Sequence, residues 1–163
     1  MNNKLFLVCP FSSMENFIRQ NYGDDVFYIT AMAGIFQCNE KEWIEEIKYF
    51  ISSENINEIF IVSDISCRFI NAALNKEKTN GYYSERVIQK LVEDNYDLIM
   101  ENKAIHEQQI KLAELIVKHQ ATELKNPNCL QQQIIQSNIS IKELITSKAE
   151  NKITELNFHA NQL

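Results

Sequence analysis

Two short apolar runs punctuate the first half of the chain, Leu5-Phe6-Leu7-Val8 and Ile59-Phe60-Ile61-Val62. Neither alternates with polar residues. Continuous apolar runs of this length predict strands buried on both faces, as in a parallel sheet. The first run stops at Cys9-Pro10, because proline cannot donate to a sheet ladder. The second stops at Ser63-Asp64-Ile65-Ser66-Cys67, after which residues 68–74 can start a helix. Val26-Phe27-Tyr28-Ile29 predicts a further strand, closing in the small-residue loop Ala31-Met32-Ala33-Gly34. Between the strands the period changes. Ser12 or Ser13 can cap a helix over residues 14–21 that turns Phe17 and Ile18 inward. Trp43, Ile44, Ile47, Phe50 and Ile51 recur at helical spacing over residues 39–53. Strand and helix alternating through short links predict an α/β fold, a mostly parallel sheet of about four to five strands flanked by helices and joined by right-handed crossovers.

The second half is dominated by helical spacing. Residues 82–124 read as a long, almost wholly helical segment of two or more helices. Val87, Ile88, Leu91 and Val92 form one stripe, and Ile105, Ile110, Leu112, Leu115, Ile116 and Val117 a broader one. Asn126-Pro127-Asn128 ends this region. Residues 130–135 and 139–145 read as further helical segments. Residues 152–158 alternate apolar and polar, the pattern of an edge strand with one exposed face.

Length and composition fit that picture. The chain of 163 residues suits one domain, residues 1–163, and an apolar share of 45% supports a core. Only 3 glycines and 2 prolines argue against a turn-rich all-β fold. A formal net charge of −6 argues against nucleic acid or an anionic membrane as partner. No apolar run approaches a membrane span, and the first apolar stretch is too short for the core of a secretory leader. A cytoplasmic protein is the expectation. Its 4 cysteines, Cys9, Cys38, Cys67 and Cys129, are scattered without a CxxC pair. In that compartment they predict reduced thiols or metal ligands rather than a disulfide framework.

Sites in open parallel sheets form beyond the carboxyl ends of the strands. Cys9 and Cys67 each follow a strand directly, and Asp64 shares a loop with Cys67. If the strands are neighbours, the thiols approach each other, and Cys9, Asp64 and Cys67 could hold a metal ion such as zinc. The plainer alternative is two buried thiols and an aspartate capping the following helix. Other chemistry is thin. His106, His119 and His159 are isolated, Ser12, Ser63 and Ser66 have no His or Lys nearby in sequence, and Gly23, Gly34 and Gly81 stand alone, so no phosphate-binding glycine motif exists.

The order of these motifs resembles the β-class carbonic anhydrases. That family has a strand ending in C-x-D-S-R, a middle loop like V-R-N-A-G-N, and a strand ending in G-H-x-x-C that runs into a helix. Here the three read Cys9-Pro10-Phe11-Ser12-Ser13, Ile29-Thr30-Ala31-Met32-Ala33-Gly34 and Ser63-Asp64-Ile65-Ser66-Cys67. The helix before the third motif and the closing segments after residue 130 also follow the family's order. The resemblance implies a zinc held by two cysteines and a histidine, an Asp–Arg pair that controls the fourth ligand, and a homodimer. The two cysteines remain as Cys9 and Cys67. The histidine position is Asp64, the aspartate is Phe11, its arginine is Ser13, and the Arg-Asn of the middle loop is Ala31-Met32.

Those departures have a chemical consequence. Two thiolates and a carboxylate around zinc leave a net charge of −1 where the family's set leaves zero, so bound water would be less acidic. Phe11 and Met32 offer bicarbonate no partner. The leading expectation is therefore a non-catalytic carbonic-anhydrase-like protein that acts through binding or assembly. It is a homodimer with no required cofactor, and the helical segment 82–124 serves as a dimer or partner face. Two other readings stay open. One is a zinc-dependent lyase or hydrolase with an altered Cys9/Asp64/Cys67 site. The other is a redox sensor built on a Cys9–Cys67 pair.

Overall fold

The computed structural model describes residues 3–156 of the chain. Its centre is the pair of apolar runs. Strand β1 (Asn3–Val8) lies parallel to β3 (Ile56–Asp64), with Leu5 beside Ile59 and Phe6 beside Phe60. Strand β2 (Val26–Thr30) pairs parallel on the other side of β1. Strand β4 (Ser140–Ser147) pairs parallel with β3, and β5 (Lys152–Leu156) closes the sheet antiparallel to β4. The order is β2-β1-β3-β4-β5. This is the expected α/β sheet.

Side chains leave successive strand positions on opposite faces, and both faces are covered. Leu5, Leu7, Ile59 and Ile61 pack on Ile44, Ile47 and Ile51 of helix α2 (Lys41–Ser53). Phe6, Val8, Phe60 and Val62 face the other way, toward Phe17 and Ile18 of α1 (Glu15–Tyr22), and the Phe6 and Phe60 rings stack at 4.5 Å. Helix α3 (Arg68–Leu74) follows β3. The segment expected to be helical over residues 82–124 divides into α4 (Tyr83–Asp94), α5 (Tyr96–Met100) and α6 (Ile105–Leu124). Of these α6 is central: Val117, Ala121 and Leu124 join the core under α2, while Leu112, Ala113 and Ile116 join the one under α3.

Three expectations need correction. Residues 139–145 are not helical. Ile139 leads into β4, and α7 (Gln131–Gln136) ends before it. The strand hides a glutamate among its buried residues, and that broke the apolar run. Neither Ser12 nor Ser13 caps α1. Pro10 opens a 3-10 turn over Pro10–Ser12, whose Ser12 hydroxyl donates to the Cys9 carbonyl, and α1 begins after Met14 with no side-chain cap. Finally, Cys38 and Cys129 are joined by a disulfide that ties the start of α2 to the loop after α6, across 91 residues. The two lie far apart in sequence but meet because α2 and α6 pack on the same sheet face. Residues 157 and 158 of the expected last strand, and His159, lie outside the described residues.

Candidate functional site

Parallel pairing of β1 with β3 delivers Cys9 and Cys67 to one end of the sheet, as the sequence predicted. Both are buried, at 5% and 7% exposure, and both are free of the disulfide. Both side chains belong to the same buried cluster. The backbone N–H of Ala33 donates to the Cys9 sulfur at 3.2 Å.

That donor depends on local backbone geometry. Residues 32–34 form a tight turn in which Ala33 has φ +58° and Gly34 φ +69°. A Cβ on Gly34 would sit 3.1 Å from the Val62 carbonyl. Glycine lets this loop press against the ends of β1 and β3. The Ala31 N–H meanwhile donates to the Val8 carbonyl at 3.1 Å.

The two sulfurs are electrostatically unequal. Hydrogen bonding from Cys67, aided by backbone N–H groups, outweighs burial and pulls Cys9 down from 9.0 to about 6. Donation to Cys9, together with burial, pushes Cys67 upward. The two thiols titrate as a pair, and the Ala33 N–H favours negative charge on the Cys9 side.

Asp64 is also buried, at 4% exposure, but its carboxylate is used elsewhere. Oδ1 accepts from the Ser66 N–H at 3.0 Å and from the Ser66 hydroxyl. Oδ2 accepts from the Thr146 hydroxyl of β4 at 2.9 Å. The carboxylate thus bolts the end of β3 to β4. It does not cap α3, whose N-cap is Cys67. Of the three residues singled out as ligands, the structure brings Cys9 and Cys67 together. Among the described residues no group of three or more His, Cys, Asp or Glu side chains converges.

The turn after Cys9 meets the start of α3 through two rings and a guanidinium. Phe11 is 54% exposed, and its ring lies 5.9 Å from that of Phe69. The Arg68 guanidinium sits 5.1 Å from the Phe11 ring centre and 5.5 Å from that of Phe69. A groove of about 300 Å³ runs beside exposed Met32, with Glu40 and no Lys or Arg among its described lining residues. Ser13 adopts a left-handed conformation, and Lys148 holds this loop by donating to the Ser12 and Ser13 carbonyls at 3.1 Å each. Thr146 and Lys148 gave no signal in the sequence, whereas Ala33 stood in the small-residue loop that resembles the family's middle motif. Arg68 did carry one, as the cation next to Cys67. His106 is exposed, 3.7 Å from Glu150, and takes no part in the site.

The likeness to known proteins matches this geometry. Residues 5–153 match a family model described as carbonic anhydrase. Solved structures share the fold at low identity. The β-carbonic anhydrase CafA of Aspergillus fumigatus aligns over 96% of this chain and 76% of its own, with 17% identity and a TM-score of 0.80. The tetrameric β-carbonic anhydrases of Sordaria macrospora align over 96% and 81%, with 17% identity and a TM-score of 0.80. The Coccomyxa β-carbonic anhydrase, solved with acetazolamide, aligns over 95% and 72%, with 15% identity and a TM-score of 0.75. No curated protein matches the sequence.

Proposed function

We propose that this chain, which belongs to the β-carbonic anhydrase family, acts through binding or assembly and does not hydrate carbon dioxide. One observation carries the reading: at the carboxyl end of β1 and β3 only two metal-binding side chains converge among the described residues, while both oxygens of Asp64 are engaged by Ser66 and Thr146. A catalytic zinc needs three protein ligands and an open position for water. The family implies a zinc, and the side chains present do not fit one of that kind. Freeing Asp64 would leave the buried Thr146 hydroxyl without its carboxylate acceptor.

The surroundings support the same reading. Hydration requires a group to accept from the zinc-bound water and a polar site for bicarbonate. Phe11 stands where the family's aspartate would be, and it packs against Phe69 and Arg68. Ser13 cannot supply the arginine's charge, and Lys148 satisfies only backbone carbonyls there. Ala31 and Met32 supply no hydrogen-bonding side chain.

The chain acts as one domain and self-associates, as a homodimer. Support comes from the tetrameric Sordaria relatives and from the large side chains Tyr49, Ile105 and Ile135, which remain exposed on the helices. Among the described residues no helix is long and apolar enough to cross a membrane. A cytoplasmic location was the sequence expectation, and the Cys38–Cys129 bond weighs against a reducing compartment.

Zinc titration followed by thermal denaturation tests the site. The folded, metal-free protein is expected to gain no stability from zinc at micromolar concentration. A gain of several degrees that disappears in Cys67→Ala would overturn the reading, because a ligand that binds only the folded state must stabilise it.

A further inference from the structure

We infer that Cys9 and Cys67 are an oxidisable dithiol that closes to an internal disulfide when a peroxide reaches it. The inference rests on the reading above, that no three-ligand zinc occupies the pair. Cys38 and Cys129 are already bonded to each other, so Cys9 and Cys67 are the chain's two free thiols.

Three features make the pair competent. First, both side chains lie in one buried cluster at the carboxyl ends of neighbouring strands, and disulfide formation needs the sulfurs to close to about 2.05 Å. Both residues lie on loops that leave neighbouring strands, Cys9 just before the Pro10–Ser12 turn and Cys67 just before α3. Side-chain rotation and a small loop shift can supply the movement. Second, the two sulfurs have different roles. The Ala33 N–H donates to the Cys9 sulfur at 3.2 Å and favours its thiolate, the nucleophilic form. Third, burial at 5% and 7% exposure favours a small oxidant over a bulky one.

The chemistry balances with hydrogen peroxide as oxidant. The Cys9 thiolate attacks one peroxide oxygen, the O–O bond breaks, and Cys9 becomes a sulfenic acid while hydroxide leaves. Cys67 gives its proton to that hydroxide, forming water. The resulting Cys67 thiolate attacks the Cys9 sulfur, the S–O bond breaks, and a second hydroxide departs. Each sulfur loses one electron and the peroxide gains two. A small dithiol reverses the bond by exchange.

The test treats the full-length chain, with chelator present and its metal content measured, with hydrogen peroxide and maps peptides without reduction. The expected product is a Cys9–Cys67 linked peptide lacking two hydrogens and restored by dithiothreitol. Cys67→Ala, treated at about pH 9 where Cys9 still ionises, should instead leave a Cys9 sulfenic acid that dimedone traps, and Cys9→Ala should leave Cys67 unoxidised. Should Cys67→Ala not fold, the wild-type map and Cys9→Ala still decide the matter. A folded, metal-free chain whose Cys9 and Cys67 remain thiols, or whose Cys9 over-oxidises without pairing, would overturn the dithiol alone. One zinc per chain that survives chelation and shields both thiols would overturn the underlying functional reading as well.

Discussion

Replacing Asp64 with alanine separates a structural carboxylate from a metal ligand. The side chain accepts three hydrogen bonds at the end of β3. The one from Thr146 matters most, because Thr146 is fully buried and the other contact of its hydroxyl is the Met14 sulfur at 3.8 Å. A hydrogen bond to a charged group contributes about 1.5–3 kcal/mol. Ser66 is exposed, so water can replace its two bonds, and these add about 1 kcal/mol or less. Asp64→Ala should therefore destabilise the metal-free protein by about 3 kcal/mol. In a chain of this size that is a fall in Tm of about 6–12 °C. Thr146→Val should cost little once Asp64 is alanine, giving a coupling of about 1.5 kcal/mol in a double-mutant cycle. Denaturant titration with a chelator present measures both. If Asp64→Ala were neutral under chelation and destabilising only with zinc present, the carboxylate would serve a metal and the bolt would be refuted.

Further tests address the other features. Reducing the Cys38–Cys129 bond, or changing Cys129 to serine, should cost about 2–4 kcal/mol, since it frees a long loop in the unfolded chain; a loss under about 0.5 kcal/mol in urea titration would contradict this. Thiolate absorbance at 240 nm should rise by one thiolate through about pH 6 as Cys9 ionises, and in Cys67→Ala the midpoint should move upward, toward 9.0; an unchanged midpoint would show that Cys67 is not the donor. Glu143 of β4 is buried with one oxygen unpartnered, and burial raises its pKa above 4.5 despite Lys125 and Lys118. The stability tied to its protonated form is complete below about pH 4.5 and lost as pH rises, so Glu143→Gln should stabilise more at pH 7 than at pH 4, and equal gains at both would contradict it.

Strands β1 and β3 were legible because a strand covered on both faces can be apolar at every position, and four such residues in a row, bounded by turn signals, suit few elements besides a buried strand. Their adjacency was a condition that the sequence left open; the structure meets it and so brings Cys9 and Cys67 to one end of the sheet. Strand β4 was illegible for the opposite reason. Lys142 pairs with Glu58 at 2.8 Å, Glu143 is buried, and Thr146 and Ser147 are buried polar residues. Ile139, Ile141, Leu144 and Ile145 then mimic helical spacing. The use of Asp64 was hidden with it, because its partner Thr146 lies 82 residues away on that strand. The Cys38–Cys129 bond was hidden by the same kind of distance: only the packing of α2 and α6 on one face reveals it.

Our proposal that this member of the β-carbonic anhydrase family does not hydrate carbon dioxide can be tested directly. Stopped-flow carbon dioxide hydration, with the protein equilibrated against zinc and its metal content counted, should proceed at the buffer rate from neutral to mildly alkaline pH. Hydration well above buffer that tracks bound zinc and disappears in Cys67→Ala would contradict the claim.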